Sequence, residues 1–246
     1  MTESITSIPN TWEVLNDELI ACRRCPRLVA WREQTAREKR RAFQDWDYWG
    51  KPVPGFGDRH ARLLIVGLAP AAHGGNRTGR MFTGDGSAET LITALHRAGF
   101  ASQATSVQRD DGLELRDAFM TAVARCAPPG NRPSPAELQN CRPFLLRELG
   151  LLGTVEVVLA LGRIAFDGFV TARGQRASRV PRPAFRHGAV YPLGRPLPTL
   201  IASYHPSRQN TQTGRLTPRM LDEVLASVRH LLELPPSLAS LPRDEE

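Results

Sequence analysis

Apolar positions along the chain fall into two kinds of pattern. Leu63, Leu64, Ile65 and Val66 form an unbroken run without alternation, as a strand buried on both faces of a parallel sheet requires. The spans 118–124 and 154–161 read the same way, and shorter strands are expected near 189–191 and 199–203. Elsewhere apolar residues recur at helical spacing. Trp12, Leu15, Leu19 and Ile20 predict a first helix, capped by Asn10 or Thr11. Leu91, Ile92 and Leu95 predict a helix starting near Ser87, and Ile164, Ala165, Phe166 and Phe169 another. Met220, Leu221, Val224, Leu225, Val228, Leu231 and Leu232 form the stripe of a long last helix capped by Thr217. Ser134-Pro135-Ala136-Glu137 is a capping box with proline at the first helical position, and Pro143 is expected to kink or restart that helix. Residues 31–45, dense in charge, predict a helix with a solvated face.

Strands alternate with helices, so the expected fold class is α/β: a single domain over 1–246 with a central, mostly parallel sheet of four to five strands, flanked by helices on both faces. Residues 1–60 are expected to form an N-terminal helical segment, and 235–246 a frayed tail. Two loops stand out at strand ends. The first, from Gly67 to Asp85, holds five glycines together with His73, Asn76, Arg77, Thr78, Arg80 and Thr83. The second starts at Tyr204 and runs through His205-Pro206-Ser207-Arg208-Gln209 to Arg215. Both would open on the carboxyl edge of the sheet, where ligands bind in open α/β folds. A loop as long as the first is uncommon unless it is functional or disordered.

Composition narrows the class. In 246 residues, 41% hydrophobic content permits a real core. Lys and Arg total 32 against 25 Asp and Glu, a net charge of +7, which points to a polyanionic partner. No apolar run approaches the roughly 18 residues of a membrane span. The first residues lack the basic and apolar regions of a signal peptide, so the chain is read as cytoplasmic. Four cysteines in such a chain are not expected to form disulfides. Cys22 and Cys25 make a CxxC pair, while Cys126 and Cys141 have fourteen residues between them. One tight and one wide spacing suit a [4Fe–4S] cluster better than a zinc ribbon, which brings two tight pairs. Unliganded core cysteines are the plainer reading. The arginines and prolines around Cys22 and Cys25, and Ala-Pro-Pro-Gly after Cys126, argue for ligand loops instead.

Together, Gly67-Leu-Ala-Pro-Ala-Ala-His-Gly74, His205-Pro-Ser207, Asn76-Arg-Thr-Gly-Arg-Met-Phe-Thr-Gly-Asp85 and Arg125-Cys-Ala-Pro-Pro-Gly-Asn131 resemble the uracil-DNA glycosylase superfamily, in its type-b or family 5 branch. The resemblance runs from the first cysteine to the last helix. It implies hydrolysis of the N-glycosidic bond of a damaged base in double- or single-stranded DNA, one [4Fe–4S] cluster on the four cysteines, and a monomer. The base must leave the duplex and enter a pocket. Asp85, the only acid from Gly67 onward in the first loop, matches the family carboxylate; capping the next helix is its alternative role. His205 matches the histidine that donates to the base O2, and Phe82 the aromatic that stacks on the base. Gly67, Ala69 and Ala71 would line sugar and base, while His73 fits structural support and substrate contact equally. Arg77, Arg80 and Arg215 would hold phosphates. Arg208 and Gln209, nearest the histidine, would fill the gap left by the flipped base.

Two departures matter. Ala71 and Ala72 stand where other branches place a polar or acidic water-activating residue, which shifts the burden to Asp85 or to charge separation in the substrate. Ala122 stands where the related iron–sulfur branch has a uracil-reading asparagine. Losing that hydrogen-bond filter implies a wider range of bases, such as uracil, hypoxanthine or etheno-cytosine. The competing classes are a non-catalytic iron–sulfur DNA-binding or redox-sensing module, and a nucleotide hydrolase using the Gly67 loop. The first leaves Asp85, Phe82 and His205 without a role, and the second lacks the Gly-Lys-Ser/Thr of a phosphate loop.

Overall fold

The computed structural model describes residues 10–174 and 182–234. The tail expected over 235–246 lies outside the described residues, as do Arg176 and Arg179. Among the described residues six strands form one sheet: β1 (Phe56–Gly57), β2 (Leu63–Gly67), β3 (Ala118–Ala122), β4 (Val157–Leu161), β5 (Val190–Pro192) and β6 (Thr199–Ser203). Their order is β1-β3-β2-β4-β6-β5. The inner four are parallel and the two edges antiparallel. The sheet is therefore one strand wider than expected. β1 has two residues inside a proline-rich approach, too short to leave an alternating pattern in the sequence.

Every residue of β2, β3 and β4 is buried, which is why these strands read as unbroken apolar runs. The pleat sends alternate side chains to opposite faces. Leu63 and Ile65 meet α4 (Gly86–Arg97) and α8 (Pro218–Leu231) through Leu91, Leu95, Leu221 and Val228. Leu64 and Val66 meet α5 (Pro135–Leu151) and α6 (Arg163–Arg173) through Leu145, Leu149, Phe166 and Phe169. Capping follows the sequence closely. Thr11 accepts from Val14 N at the start of α1 (Trp12–Ile20), Ser134 and Glu137 close a capping box, and Thr217 accepts from Met220 N.

Four helices depart from expectation. α2 spans Pro26–Glu38 rather than 31–45: it starts on the proline after Cys25 and stops where Lys39 turns left-handed, at φ 52°. α5 continues through Pro143, because Phe144 and Leu145 beside it are buried in two different parts of the core. Packing there outweighs the lost backbone bond. Two helical turns, α3 (Gly75–Thr78) and α7 (Arg208–Gln212), lie inside stretches that read as irregular loops. Among the described residues no helix is long and apolar enough to cross a membrane.

The strand ends are fastened by a buried ionic network. Arg125, 1% exposed, donates from Nε to Ala122 O (3.1 Å) and from one terminal nitrogen to Val53 O (3.3 Å). Its other terminal nitrogen binds the Glu148 carboxylate, which also accepts from Thr121 Oγ1 at 2.6 Å. The network joins β3, α5 and the segment leading to β1. Removing one partner of a buried pair strands the other charge in a medium of low dielectric. Glu148→Leu is therefore expected to cost about 3–5 kcal/mol in a urea titration, and a loss under about 1 kcal/mol would show that the pair carries little of the fold.

Candidate active site

Parallel β2 and β6 deliver their following loops to one edge of the sheet. The chain after β2 stays beside the chain after β3 for two more residues: Val123 N donates to Gly67 O and Ala124 N to Leu68 O, both at 3.0 Å. On the other side Gly162 N, just after β4, donates to Ser203 O at 2.7 Å. A Cβ at Gly162, which sits at φ +89°, would lie 3.2 Å from His205 Cβ. The glycine thus lets the histidine loop lie close.

Phe82 is half-buried and left-handed, at φ 46°, a strained conformation for a bulky residue. Its ring lies over Gly67, where a Cβ would come within 2.8 Å of Phe82 Cζ. Gly67 is buried, so it acts as the floor under this ring rather than as open backbone. The Phe82 and His205 rings face each other with centroids 6.4 Å apart and planes tilted by 32°. Burial lowers the His205 pKa from 6.5 to about 4, so the imidazole is neutral near pH 7 and presents one N–H. Among the described residues its ring nitrogens bond to no protein group, while its carbonyl accepts from Asn210 Nδ2 (2.8 Å) and Ser207 N (2.8 Å).

Asp85 performs the capping role, and does so with one oxygen. Oδ1 accepts from Ser87 N (2.8 Å) and Ala88 N (3.0 Å) at the start of α4. Oδ2 has no hydrogen-bond partner among the described residues and lies against Gly74, where a Cβ would come within 2.1 Å of it. Burial raises the carboxyl pKa, opposed by the two backbone N–H groups and by Arg77. Capping and catalysis, alternatives in the sequence, are thus compatible through different oxygens. His73 shares a hydrogen bond of 3.0 Å with Tyr48, and burial holds its pKa low, helped by Arg40 and Arg77. Ala69 and Ala71 are half-buried on the same loop.

Arg77 and Arg80 do not fit the expected phosphate contact. Arg77 is 2% exposed, held between the Phe43 and Trp46 rings at 4.0 and 3.9 Å, and donates to His73 O (2.8 Å) and Gly84 O (3.1 Å). Arg80 is 4% exposed and bonded to Thr83, Ser106, Arg109 O and Asp111. Both guanidiniums are buried away from solvent, Arg77 with one terminal nitrogen left without a partner. Arg208, Gln209 and Arg215 are exposed. The Arg208 stem rests on Gly86, beside the Asp85 cap, and Arg215 lies over the Tyr204 ring at 4.8 Å. Beside His205 a cavity of about 450 Å³ is lined by Arg163, Arg186, Arg215, Phe185, Tyr204 and Asn210. Arg163 belongs to none of the sequence motifs. Its signal was a cation on the first residue of a helix, where the helix dipole disfavours it unless an anion binds there.

The four cysteines line a second, smaller cavity together with Leu19, Leu28, Arg32 and Phe144. Cys22 follows α1, Cys25 precedes α2, Cys126 follows β3 and Cys141 lies within α5. Three sulfurs receive N–H groups: Cys126 from Arg32 (2.9 Å), Cys141 from Arg125 N (3.3 Å) and Cys25 from Asn140 (3.6 Å). Burial pushes up the Cys126 thiol, and the Cys141 thiol to about 12, so as thiolates they need a cationic partner. Among the described residues no three His, Cys, Asp or Glu groups converge tightly enough for a single ion. A four-iron cluster asks for a looser set, since each thiolate binds a different iron. Sulfurs that gather from four separate elements around one cavity and accept N–H groups fit such a cluster.

Residues 54–229 match the uracil DNA glycosylase superfamily. Together with the parallel sheet and the paired loops at its carboxyl edge, this places the chain in that superfamily. Within it the chain is similar to the type-5 uracil-DNA glycosylase of Thermus thermophilus, 54% identical over 224 residues, covering 90% of this chain and 99% of the relative. The type-5 uracil-DNA glycosylase of Mycobacterium tuberculosis is 52% identical over 218 residues (88% and 80%). That of Pyrobaculum aerophilum is 47% identical over 209 residues (85% and 88%).

The low pKa of His205 carries a stability signature. The unfolded chain takes up its proton near pH 6.5 and the folded chain only near 4, so stability falls as pH drops through that window and is unaffected above it. Relative to His205→Gln, the wild type is expected to lose denaturant resistance from pH 6.5 towards 4. Parallel pH profiles for the two proteins would contradict a buried, neutral imidazole.

Proposed function

We propose that this chain is a DNA repair glycosylase that hydrolyses the N-glycosidic bond of uracil, and of other deaminated bases, leaving an abasic site. The observation that carries the reading is the juxtaposition of Phe82, His205 and Asp85 at one sheet edge, in a chain of this superfamily. A flipped pyrimidine stacked on Phe82 would turn its O2 edge towards His205. Base–aromatic stacking supports binding by about 1–3 kcal/mol. As the C1′–N1 bond breaks, the electron pair leaves with the base and negative charge gathers on O2. A neutral imidazole N–H aimed there stabilises it. Positive charge builds on the sugar, and the free Oδ2 of Asp85 stabilises it or receives the proton of the water that adds to C1′. Ala122 is buried at the end of β3 and presents no amide to read the base, which favours a wider range of substrates.

Cys22, Cys25, Cys126 and Cys141 would hold one [4Fe–4S] cluster. When bound, it supplies a cross-link between the N-terminal helices and the segments after β3. Arg208 and Gln209 would enter the duplex, while Arg163, Arg186 and Arg215, which have no ion pair among the described residues, would take phosphates in place of Arg77 and Arg80. The chain would act as a single-domain monomer in the cytoplasm, on duplex and single-stranded DNA alike. A DNA-binding module without catalysis would leave the strained Phe82 and the unshared Asp85 oxygen without a purpose.

Alkaline cleavage of a uracil-containing duplex after incubation with the protein tests the activity. Asp85→Asn and His205→Ala are each expected to slow base release by about 100-fold or more with DNA binding kept. Wild-type rates in Asp85→Asn would leave Asp85 a helix cap alone. For the wedge, replacing Arg208 and Gln209 with alanine is expected to slow excision from duplex DNA far more than from a single strand, because unstacking is costly only in the duplex. Equal losses on both substrates would remove the loop from base flipping.

A further inference from the structure

Arg32 is 2% exposed, yet among the described residues it forms no ion pair. The neighbouring carboxylate, Glu33, is taken by Arg23 at 2.5 Å. Arg32 donates instead to Cys126 Sγ (2.9 Å) and Cys22 O (3.2 Å), and its Nε is buried without a partner. A guanidinium is always charged, and burying a charge is costly unless an opposite charge answers it. Among the described residues the Arg32 side chain bonds instead to the cysteine set, whose cavity it also lines. Arg125, the other buried guanidinium near these sulfurs, is already neutralised by Glu148. Arg24, on the same cavity wall, is exposed and lies over the Phe144 ring.

Arg32 also faces the active site through its backbone. Its carbonyl accepts from Asn76 Nδ2 at 3.2 Å, and Asn76 is fully buried in the loop between Gly67 and Asp85. One residue of α2 therefore touches the sulfur cavity with its side chain and the active-site loop with its main chain.

We propose that Arg32 is the charge partner of the sulfur site: a positioning residue that neutralises the cluster thiolates and joins the site to the Gly67–Asp85 loop. The inference rests on the cluster reading above. Four thiolates leave a [4Fe–4S] centre with net negative charge, and each added electron increases it. A fixed cation beside Cys126 holds that charge and favours the reduced form. Arg32 is thus expected to slow cluster loss and to raise the reduction potential. A purely steric role for Arg32 would leave the potential where it is.

The test compares full-length wild type, Arg32→Gln, Arg32→Lys and Arg24→Gln, purified without oxygen. Iron per chain, the decay of visible absorption under a chelator, and the reduction potential by EPR titration are measured. Arg32→Gln is expected to lose iron at least about tenfold faster and to titrate at a more negative potential, Arg32→Lys to recover most of the potential, and Arg24→Gln, screened by water, to match wild type. Should Arg32→Gln fail to fold, Arg32→Met, which keeps an apolar stem without the charge, carries the prediction: a more negative potential than Arg32→Lys, where equal potentials would overturn the charge role. Iron-loaded variants with wild-type decay and potential would overturn the role of Arg32 alone. A wild type that binds zinc or no metal would overturn the cluster reading, and this inference with it.

Discussion

The carboxyl edge of the sheet depends on one buried cation. Arg77 donates to His73 O and to Gly84 O, so a single guanidinium closes the long loop after β2 from its two ends. Phe43 and Trp46 hold that guanidinium from the N-terminal side, with its charge over their rings. Closing the loop brings Gly74 against Asp85, and a side chain at 74 would strike the Asp85 carboxylate. Phe82, inside the same closed turn, is held in a left-handed conformation that a free loop would relax. The loop is therefore preorganised, and the freedom that a long glycine-rich segment would otherwise lose on binding substrate is already lost on folding.

A second set of contacts fixes that loop to the rest of the molecule. Trp49 N and Gly50 N donate to Arg77 O and Asn76 O, so the aromatic approach segment runs along α3. Arg125 ties the end of β3 to α5 and to Val53, and its backbone N–H reaches Cys141. The N-terminal helices are held by these contacts, by Leu15, Leu19 and Phe144, and by Trp12 of α1 against Phe119 of β3. The sulfur cavity sits where the two systems meet. A cross-link there would stiffen the support of the active-site loop without entering the chemistry, as a structural metal site does elsewhere.

Much of the fold was legible because its signals are local. Buried parallel strands are continuous apolar runs, and caps such as Thr11, Ser134, Thr217 and Asp85 act within three residues of themselves. The carboxyl-edge position of both loops follows from strand direction alone. β1 escaped because two residues carry no period, and α5 does not restart at Pro143 because Phe144 and Leu145 just after it are buried in two parts of the core.

By itself the sequence determined the chemistry on offer: a carboxylate, an imidazole, an aromatic ring and four thiols, on loops whose order along the sheet was readable from the strands. Only the tertiary structure decided what each charge is for. Arg77 and Arg80 look no different in sequence from Arg208 and Arg215, yet two are buried in the loop and two face solvent. Asp85 reads as a catalyst with capping as the alternative until its two oxygens are seen to have different surroundings. Arg32 sits in a charged stretch that reads as a solvated face, yet it points inward to Cys126, 94 residues away. The physical reason is the same in each case. Side-chain chemistry is carried by the residue, but the cost or gain of its charge depends on water and on partners that the fold brings from far along the chain.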